Sequence, residues 1–419
     1  MTTTAPRAPS PGIATGRAPN GLTLTATALN TVPLIQARLA LRLDFDTPAD
    51  LAASDVLAAS WSQHPATARL EQVGGTVSVN RKRRWLLLTV QATADRQQLL
   101  ADTLAELTAA AYNPSMLETA VSKVTQQAAL AASQPAVDAA RQMWAHYYDG
   151  TLPPAADPSP PADAAARITL NDITAAHARY VTPRHAHLAI VGAIDTSQCL
   201  AAFAAALAPW QHTTPATAPT PLAAPTTTPT IATRHRPGQQ QTQIRLVAPA
   251  QPRTGIHAFA ANQIAAAILG GSFSSRINTV LREQHGLAYR CRAATDYLDQ
   301  DFFVIEVDVH TRHAQQAMHH LHDLTTTFAA HGPTEDELAA ATGFITGAYT
   351  INLGSQSGRG SLLTAAITQD LPPSALTDVP RAVARTTLAD IHAAAAHCQP
   401  TRFAGVVCGD ATHFPDQWT

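Results

Sequence analysis

Between Trp85 and Ala92 the apolar positions alternate, with Leu86, Leu88, Val90 and Ala92 on one face. Asp95 then opens the run RQQLLADTLAELTAAAY, whose apolar residues recur with helical spacing. Period two followed by period 3.6 predicts a half-buried strand and then an amphipathic helix. The order returns later in the chain. Phe302 to His310 places Phe303, Ile305, Val307 and Val309 on one face, and the helical run HAQQAMHHLHDLTTTF follows.

The ends of the two halves correspond as well. Thr169-Leu170-Asn171-Asp172-Ile173 leads through a helix to the apolar run LAIVG ending at Gly192, and Thr387-Leu388-Ala389-Asp390-Ile391 leads to FAGVVCG ending at Gly409. Matching positions stay 217 residues apart, from Ala92 to Val309 and from Gly192 to Gly409. Between the halves, Thr213 to Pro229 has almost no apolar bulk and a proline every few residues, which predicts a semi-extended linker. The expected fold is therefore α+β, with two tandem, structurally similar domains, each an antiparallel sheet covered by helices. Expected boundaries are a flexible tail over 1–20, a first domain over 21–212, a Pro/Thr/Ala-rich linker over 213–232 and a second domain over 233–419.

Composition narrows the function without choosing it. A hydrophobic content of 46% with 14% charged residues over 419 residues describes a globular chain with ample core. A formal net charge of −2 removes the electrostatic reason to expect nucleic acid or an anionic membrane as partner. Cys199, Cys291, Cys398 and Cys408 are too scattered for a disulfide framework or a CxxC site and fit a reducing, cytoplasmic setting. The first twenty residues lack the apolar core of a secretory signal, and no run is long enough to span a bilayer.

The most informative stretch runs from Leu269 through Gly270, Gly271, Ser272, Phe273, Ser274, Ser275, Arg276, Ile277 and Asn278 to Leu281-Arg282-Glu283-Gln284-His285-Gly286-Leu287-Ala288-Tyr289. Paired glycines permit a tight turn or a close backbone approach. SFSSRINTVLRE reads as a capped helix, His285-Gly286 as its stop, and Leu287-Ala288-Tyr289 as the start of the next strand. That spacing sets a guanidinium at a helix end and a phenol at the adjoining strand. Read singly, a Tyr opening a strand is commonly core and an Arg at a helix end commonly favours the dipole.

The stretch resembles the C-terminal half of insulinase/pitrilysin-like (M16, M16B) zinc peptidases, where a GGSxSSRL…LREExGLAY pattern is typical. The resemblance extends through DFFVIEVDV, TEDELAAATGFITGAYTINLGS and the last apolar strand, so that it covers roughly residues 20 to 411. It implies a two-domain half of a clamshell. It also implies that Arg282 and Tyr289 reach a zinc site in the opposite half, hold the substrate carbonyl and stabilise the developing oxyanion. Gly270, Gly271 and Ser272 are the implied substrate-binding positions.

The family's zinc motif, H-x-x-E-H, belongs on an early helix, where two His four apart bind the metal and the Glu acts as general base. The corresponding segment here is Leu51 to Ala59, with Ser54 and Ala58 at the His positions and Leu57 at the Glu position. The later ligand falls near Gln126-Gln127, with Glu118 the nearest acid, and no His precedes His64 anywhere in the chain. No slip of alignment restores the centre, so this chain is expected to hold no zinc. His313, His319, His320 and His322, with Asp323, cluster on one helix and read as solvated surface residues. Arg81-Lys82-Arg83-Arg84 follows a segment matching the family's GGxxNA edge strand. It reads as a solvated, aggregation-resistant edge or, alternatively, as a basic patch favouring acidic peptides.

The reading that follows is a zinc-less subunit of a heterodimeric metallopeptidase. A homologous partner bearing H-x-x-E-H carries the zinc, and this chain contributes Arg282 and Tyr289 to peptide binding. A catalytically inert scaffold or peptide-binding protein is the alternative, since the fold does not oblige chemistry. Leader-peptide processing fits paired bacterial members of the family, but no residue selects that substrate.

Overall fold

The computed structural model describes residues 12–211, 222, 225 and 228–414, so most of the expected linker lies outside the described residues. The chain forms two compact units, interleaved along the sequence. The first takes in residues 1–128, 160–220 and 347–378, and the second 129–159, 221–346 and 379–419.

In the first unit six strands form one sheet: β1 (Ile13–Arg17), β2 (Thr23–Ala28), β3 (Leu34–Arg42), β4 (Thr76–Lys82), β5 (Trp85–Thr93) and β6 (Ala186–Gly192). Their order is β1-β2-β6-β3-β5-β4. The second unit holds β7 (Ile231–His235), β8 (Gln241–Pro249), β9 (Ala288–Tyr297), β10 (Asp301–His310) and β11 (Ala404–Gly409), in the order β7-β11-β8-β10-β9. Setting β1 aside, the two orders are the same. Both sheets are antiparallel except for one parallel pair each, β2 with β6 and β7 with β11. The α+β class and the duplication therefore hold, with mixed sheets in place of purely antiparallel ones. The first twenty residues are not all tail. Ile13–Arg17 pairs with β2, and Asn20 Nδ2 donates to the carbonyls of Leu207 and Trp210 at 2.8 and 2.9 Å.

The alternating faces read from the sequence are buried, with Leu86, Leu88, Val90 and Ala92 on β5 and Phe303, Ile305, Val307 and Val309 on β10. The opposite faces are covered as well, and here the halves trade helices. In the first unit the helix Gln356–Thr368, from the second half of the chain, packs Leu363 and Ile367 against Ala40, Trp85, Ala189 and Val191. Gly360 allows the approach, because a Cβ there would meet Gln36 Oε1 at 2.8 Å and Arg38 Nε at 2.9 Å. Gln356 Nε2 donates to the carbonyls of Leu29, Val32 and Leu34 at 2.9–3.1 Å. In the second unit the helix Pro135–Tyr147, from the first half, sets Trp144 edge-on to Phe302 at 5.2 Å between ring centroids.

The basic run departs from its expected solvation. Arg84 is buried with its Nη1 2.6 Å from Asp44, and Arg81 Nε lies 2.7 Å from Asp55. Both charges are neutralised inside the first unit, which corrects the picture of a free basic patch. β4 is nevertheless the edge strand, as expected.

Candidate functional site

The segment from Ile256 to Tyr297 lies wholly in the second unit. The helix Ile256–Ala266 widens into a π-turn over Ala267–Gly271, where Ser272 N donates to the carbonyl of Ala267 five residues back at 3.2 Å. Gly270 is buried against β9, and a Cβ on it would stand 2.5 Å from Ala293 N. Its required property is smallness beneath the strand. Gly271 is exposed and Ser272 half-buried at the start of the following turn.

The sequence expects a helix from Ser272 onward, but Ser272–Ser275 is a turn, closed by Ser275 N donating to the Ser272 carbonyl at 3.2 Å. Asn278 fixes it from inside: its Nδ2 donates to the Ser272 carbonyl at 3.0 Å and to Ser275 Oγ at 2.9 Å. The helix proper begins at Arg276 and is π-wide over Asn278–Gln284. Wide turns of this kind are rare and frequent at functional sites. His285 N donates to the Val280 carbonyl and Gly286 N to that of Arg282, at 3.2 and 3.1 Å, and Gly286 takes φ +58°, a conformation that favours glycine. The predicted helix stop is therefore present.

β9 begins two residues later with a bulge. Asp308 faces Arg290 and Val309 faces Ala288, so Tyr289 between them has no partner on β10. The extra residue re-aims its side chain. Tyr289 is 91% exposed.

Of the arginines in this region, Arg276 is committed to the fold. Its Nε and Nη2 hold Glu337 at 2.6 and 2.7 Å, and Nη2 also donates to the Gly332 carbonyl. Arg290 and Arg292 share Glu306 at 3.3 and 3.1 Å. Arg282 is different. Its Nε is 3.5 Å from Glu283, both side chains are about half exposed at 45% and 50%, and its guanidinium carbon lies 5.5 Å from the Phe273 ring centroid. Burial pushes the nearby Cys291 thiol up to about 11 against the pull of the Arg282 charge, which sets that charge beside β9. A half-exposed, incompletely paired guanidinium and a solvent-facing phenol thus stand at consecutive elements. Both are N–H or O–H donors able to take an oxygen acceptor from outside. Phe273, not singled out from the sequence, joins them as a third exposed side chain.

The positions matching a zinc motif lie in the first unit on the helix Pro48–Trp61, and Ser54, Leu57 and Ala58 are all buried there. Ser54 Oγ donates to the Leu51 carbonyl at 2.8 Å, and the other two have no donor atom to offer a metal. Glu118, Gln126 and Gln127 are exposed on the helix Pro114–Ser133. These residues do not fit a zinc ion. Among the described residues no three His, Cys, Asp or Glu side chains group as a metal would require. On the helix Ala314–His331, His319 and His322 each face Asp323, at 3.4 and 3.7 Å, and His320 stacks on His285 at 4.5 Å. None of the described helices is long and apolar enough to cross a membrane.

Comparison with known proteins bears on the same segment. The family model described as "Peptidase M16 inactive domain" matches residues 167–342, a span that contains Arg282 and Tyr289. No curated protein matches. Among solved structures, the peptidase M16 inactive domain from Pseudomonas fluorescens is similar with a TM-score of 0.84 at 20% identity, covering 95% of this chain and 98% of that one. A protease from Helicobacter pylori gives 0.85 at 15% identity, covering 95% and 100%. The periplasmic protease PqqL from Escherichia coli gives 0.74 at 16% identity over 97% of this chain but 47% of its own, so this chain corresponds to about half of it.

Proposed function

We propose that this chain, a member of the M16 peptidase family through the inactive domain that residues 167–342 match, lends Arg282 and Tyr289 to the active site of a homologous, zinc-bearing partner. In this reading the partner carries the H-x-x-E-H helix that Ser54, Leu57 and Ala58 cannot replace. Zinc held there supplies the activated water. The work of this chain is to bind and polarise. The Arg282 guanidinium donates to the carbonyl oxygen of the bound peptide, and the Tyr289 hydroxyl donates to the same oxygen as charge gathers on it. Donors fixed in advance where charge develops are worth more than donors recruited from water.

One observation carries the reading: a bulge turns Tyr289 outward, 91% exposed, on the strand that follows the helix end of an incompletely paired arginine. A tyrosine at a strand start is ordinarily half-buried, and among the described residues no hydrogen bond or ring contact engages this one. That the solved protease PqqL is about twice as long fits an enzyme built from two such chains.

The test is reconstitution. The purified chain hydrolyses no peptide alone; mixed with an H-x-x-E-H partner it restores hydrolysis, and Arg282→Ala abolishes the gain. Restoration that survives Arg282→Ala unchanged assigns the chain to the scaffold class instead.

A further inference from the structure

Phe273 occupies the second position of the turn Ser272–Ser275. Turn positions of this kind favour Pro, Ser, Asp and other small or polar residues, and a phenylalanine there has no local conformational reason. Nor is the residue withdrawn into the core: Phe273 is 68% exposed. In the second unit the large apolar side chains exposed among the described residues are Leu130, Phe273, Tyr289 and Phe344, and two of these four flank Arg282 in the chain. The turn is also held in place. Asn278, buried beneath it, donates to the Ser272 carbonyl and to Ser275 Oγ. A fixed turn therefore presents an aromatic ring to solvent, with one face covered by the Arg282 guanidinium at 5.5 Å.

We infer that Phe273 is a specificity-determining residue, forming with Arg282 a surface for a peptide that carries an aromatic or branched aliphatic side chain next to the carbonyl Arg282 holds. The inference rests on the carbonyl-binding role given to Arg282 above. Its two parts are complementary in kind. The cation takes an oxygen, and the free portion of the ring takes an apolar side chain that would otherwise stay in water. An acidic side chain gains less here, because the cation is directed at the main chain and the ring offers it nothing. Pairing an apolar contact with a charge-assisted donor fixes both the register and the identity of one residue.

The experiment uses the full chain and two capped peptides, hexaalanine and its counterpart with phenylalanine at the third position, titrated to millimolar concentration by NMR. The phenylalanine peptide binds roughly tenfold more tightly, a difference of about 1.4 kcal/mol. Phe273→Ala removes that preference, while Phe273→Leu keeps most of it. Arg282→Ala weakens both peptides equally. A preference that survives Phe273→Ala overturns the inference, as do equal binding by the unaltered chain and absence of binding by either peptide. Equal binding together with a full Arg282 effect sinks the role of Phe273 alone. An Arg282→Ala chain that binds both peptides normally sinks the carbonyl-binding role beneath it.

Discussion

The guanidinium carbon of Arg282 lies 5.5 Å from the centroid of the Phe273 ring, with the Glu283 carboxylate 3.5 Å from its Nε. The contrast is Arg276, six residues earlier, whose Nε and Nη2 are both taken by Glu337. A donor meant for a charge that appears only during reaction must not be already consumed in the resting protein. An aromatic neighbour meets that condition, because the ring quadrupole attracts a cation and leaves its N–H groups available.

Gly270 and Gly343 separate packing from flexibility. Gly270→Ala drives a methyl to 2.5 Å from Ala293 N, where strand and wide helix both have to shift. Overpacking of this kind costs about 1–3 kcal/mol. Gly343→Ala is the control, since a Cβ there meets nothing within 4 Å on the helix Glu335–Leu353. It stabilises by about 1 kcal/mol through helix propensity. Denaturant midpoints of the two variants should move in opposite directions, and movement in the same direction would contradict the packing role.

Exchange of helices between the halves has its own signature. Gln356 Nε2 serves the carbonyls of Leu29, Val32 and Leu34 in the loop between β2 and β3 and at its end. Gln356→Ala removes a donor shared by three part-buried carbonyls, of which those of Val32 and Leu34 keep a backbone N–H, and destabilises by about 0.5–1.5 kcal/mol. Hydrogen exchange then rises at the start of β3, although the substituted residue is more than three hundred positions away in the chain. Exchange confined to the helix Gln356–Thr368 would show that the contact does not hold the loop.

Stability also depends on pH through a buried histidine. His177 is held below its ordinary 6.5, first by burial, which its hydrogen bond to the Thr108 carbonyl offsets in part. Its Nδ1 accepts from the Tyr112 hydroxyl at 2.5 Å and its Nε2–H donates to the Thr108 carbonyl at 3.0 Å, while Trp61 Nε1 donates to Tyr112 at 3.2 Å. This network requires neutral imidazole. Because the folded value is the lower one, the unfolded chain binds the proton more readily, and stability falls as pH falls. The contribution is whole above about pH 6.5 and is lost as pH drops from there through the lowered folded value. His177→Gln should therefore cost most at about pH 8 and progressively less toward about pH 5. A melting-temperature difference that does not vary with pH would contradict this.

Much of this architecture is legible in the chain. The strand-then-helix pattern appears twice in constant register, and the capping boxes at Thr169/Asp172 and Thr387/Asp390 start the helices Leu170–Tyr180 and Leu388–Ala395 as their spacing indicates. What periodicity does not carry is the partner of a face. The helices Pro135–Tyr147 and Gln356–Thr368 each have a buried side, but nothing local says that each covers the sheet of the other half. The charge run Arg81–Arg84 misleads for the same reason, since Asp55 and Asp44, which pair with Arg81 and Arg84, are distant in sequence. At the site, the Arg282 to Tyr289 spacing is visible, whereas the bulge that turns Tyr289 outward depends on its register with β10. Phe273 is missed because a turn residue signals function only when its exposure is known.

The central claim is that Tyr289 donates to the reacting carbonyl in an enzyme completed by a zinc-bearing partner. Its most direct test is the kcat of the mixed enzyme with Tyr289→Phe, a change that removes one hydroxyl from an exposed side chain and leaves folding untouched. The account predicts a fall of about 100-fold or more in kcat, with KM little changed and the melting temperature unmoved. An unchanged kcat in the mixed enzyme would contradict it.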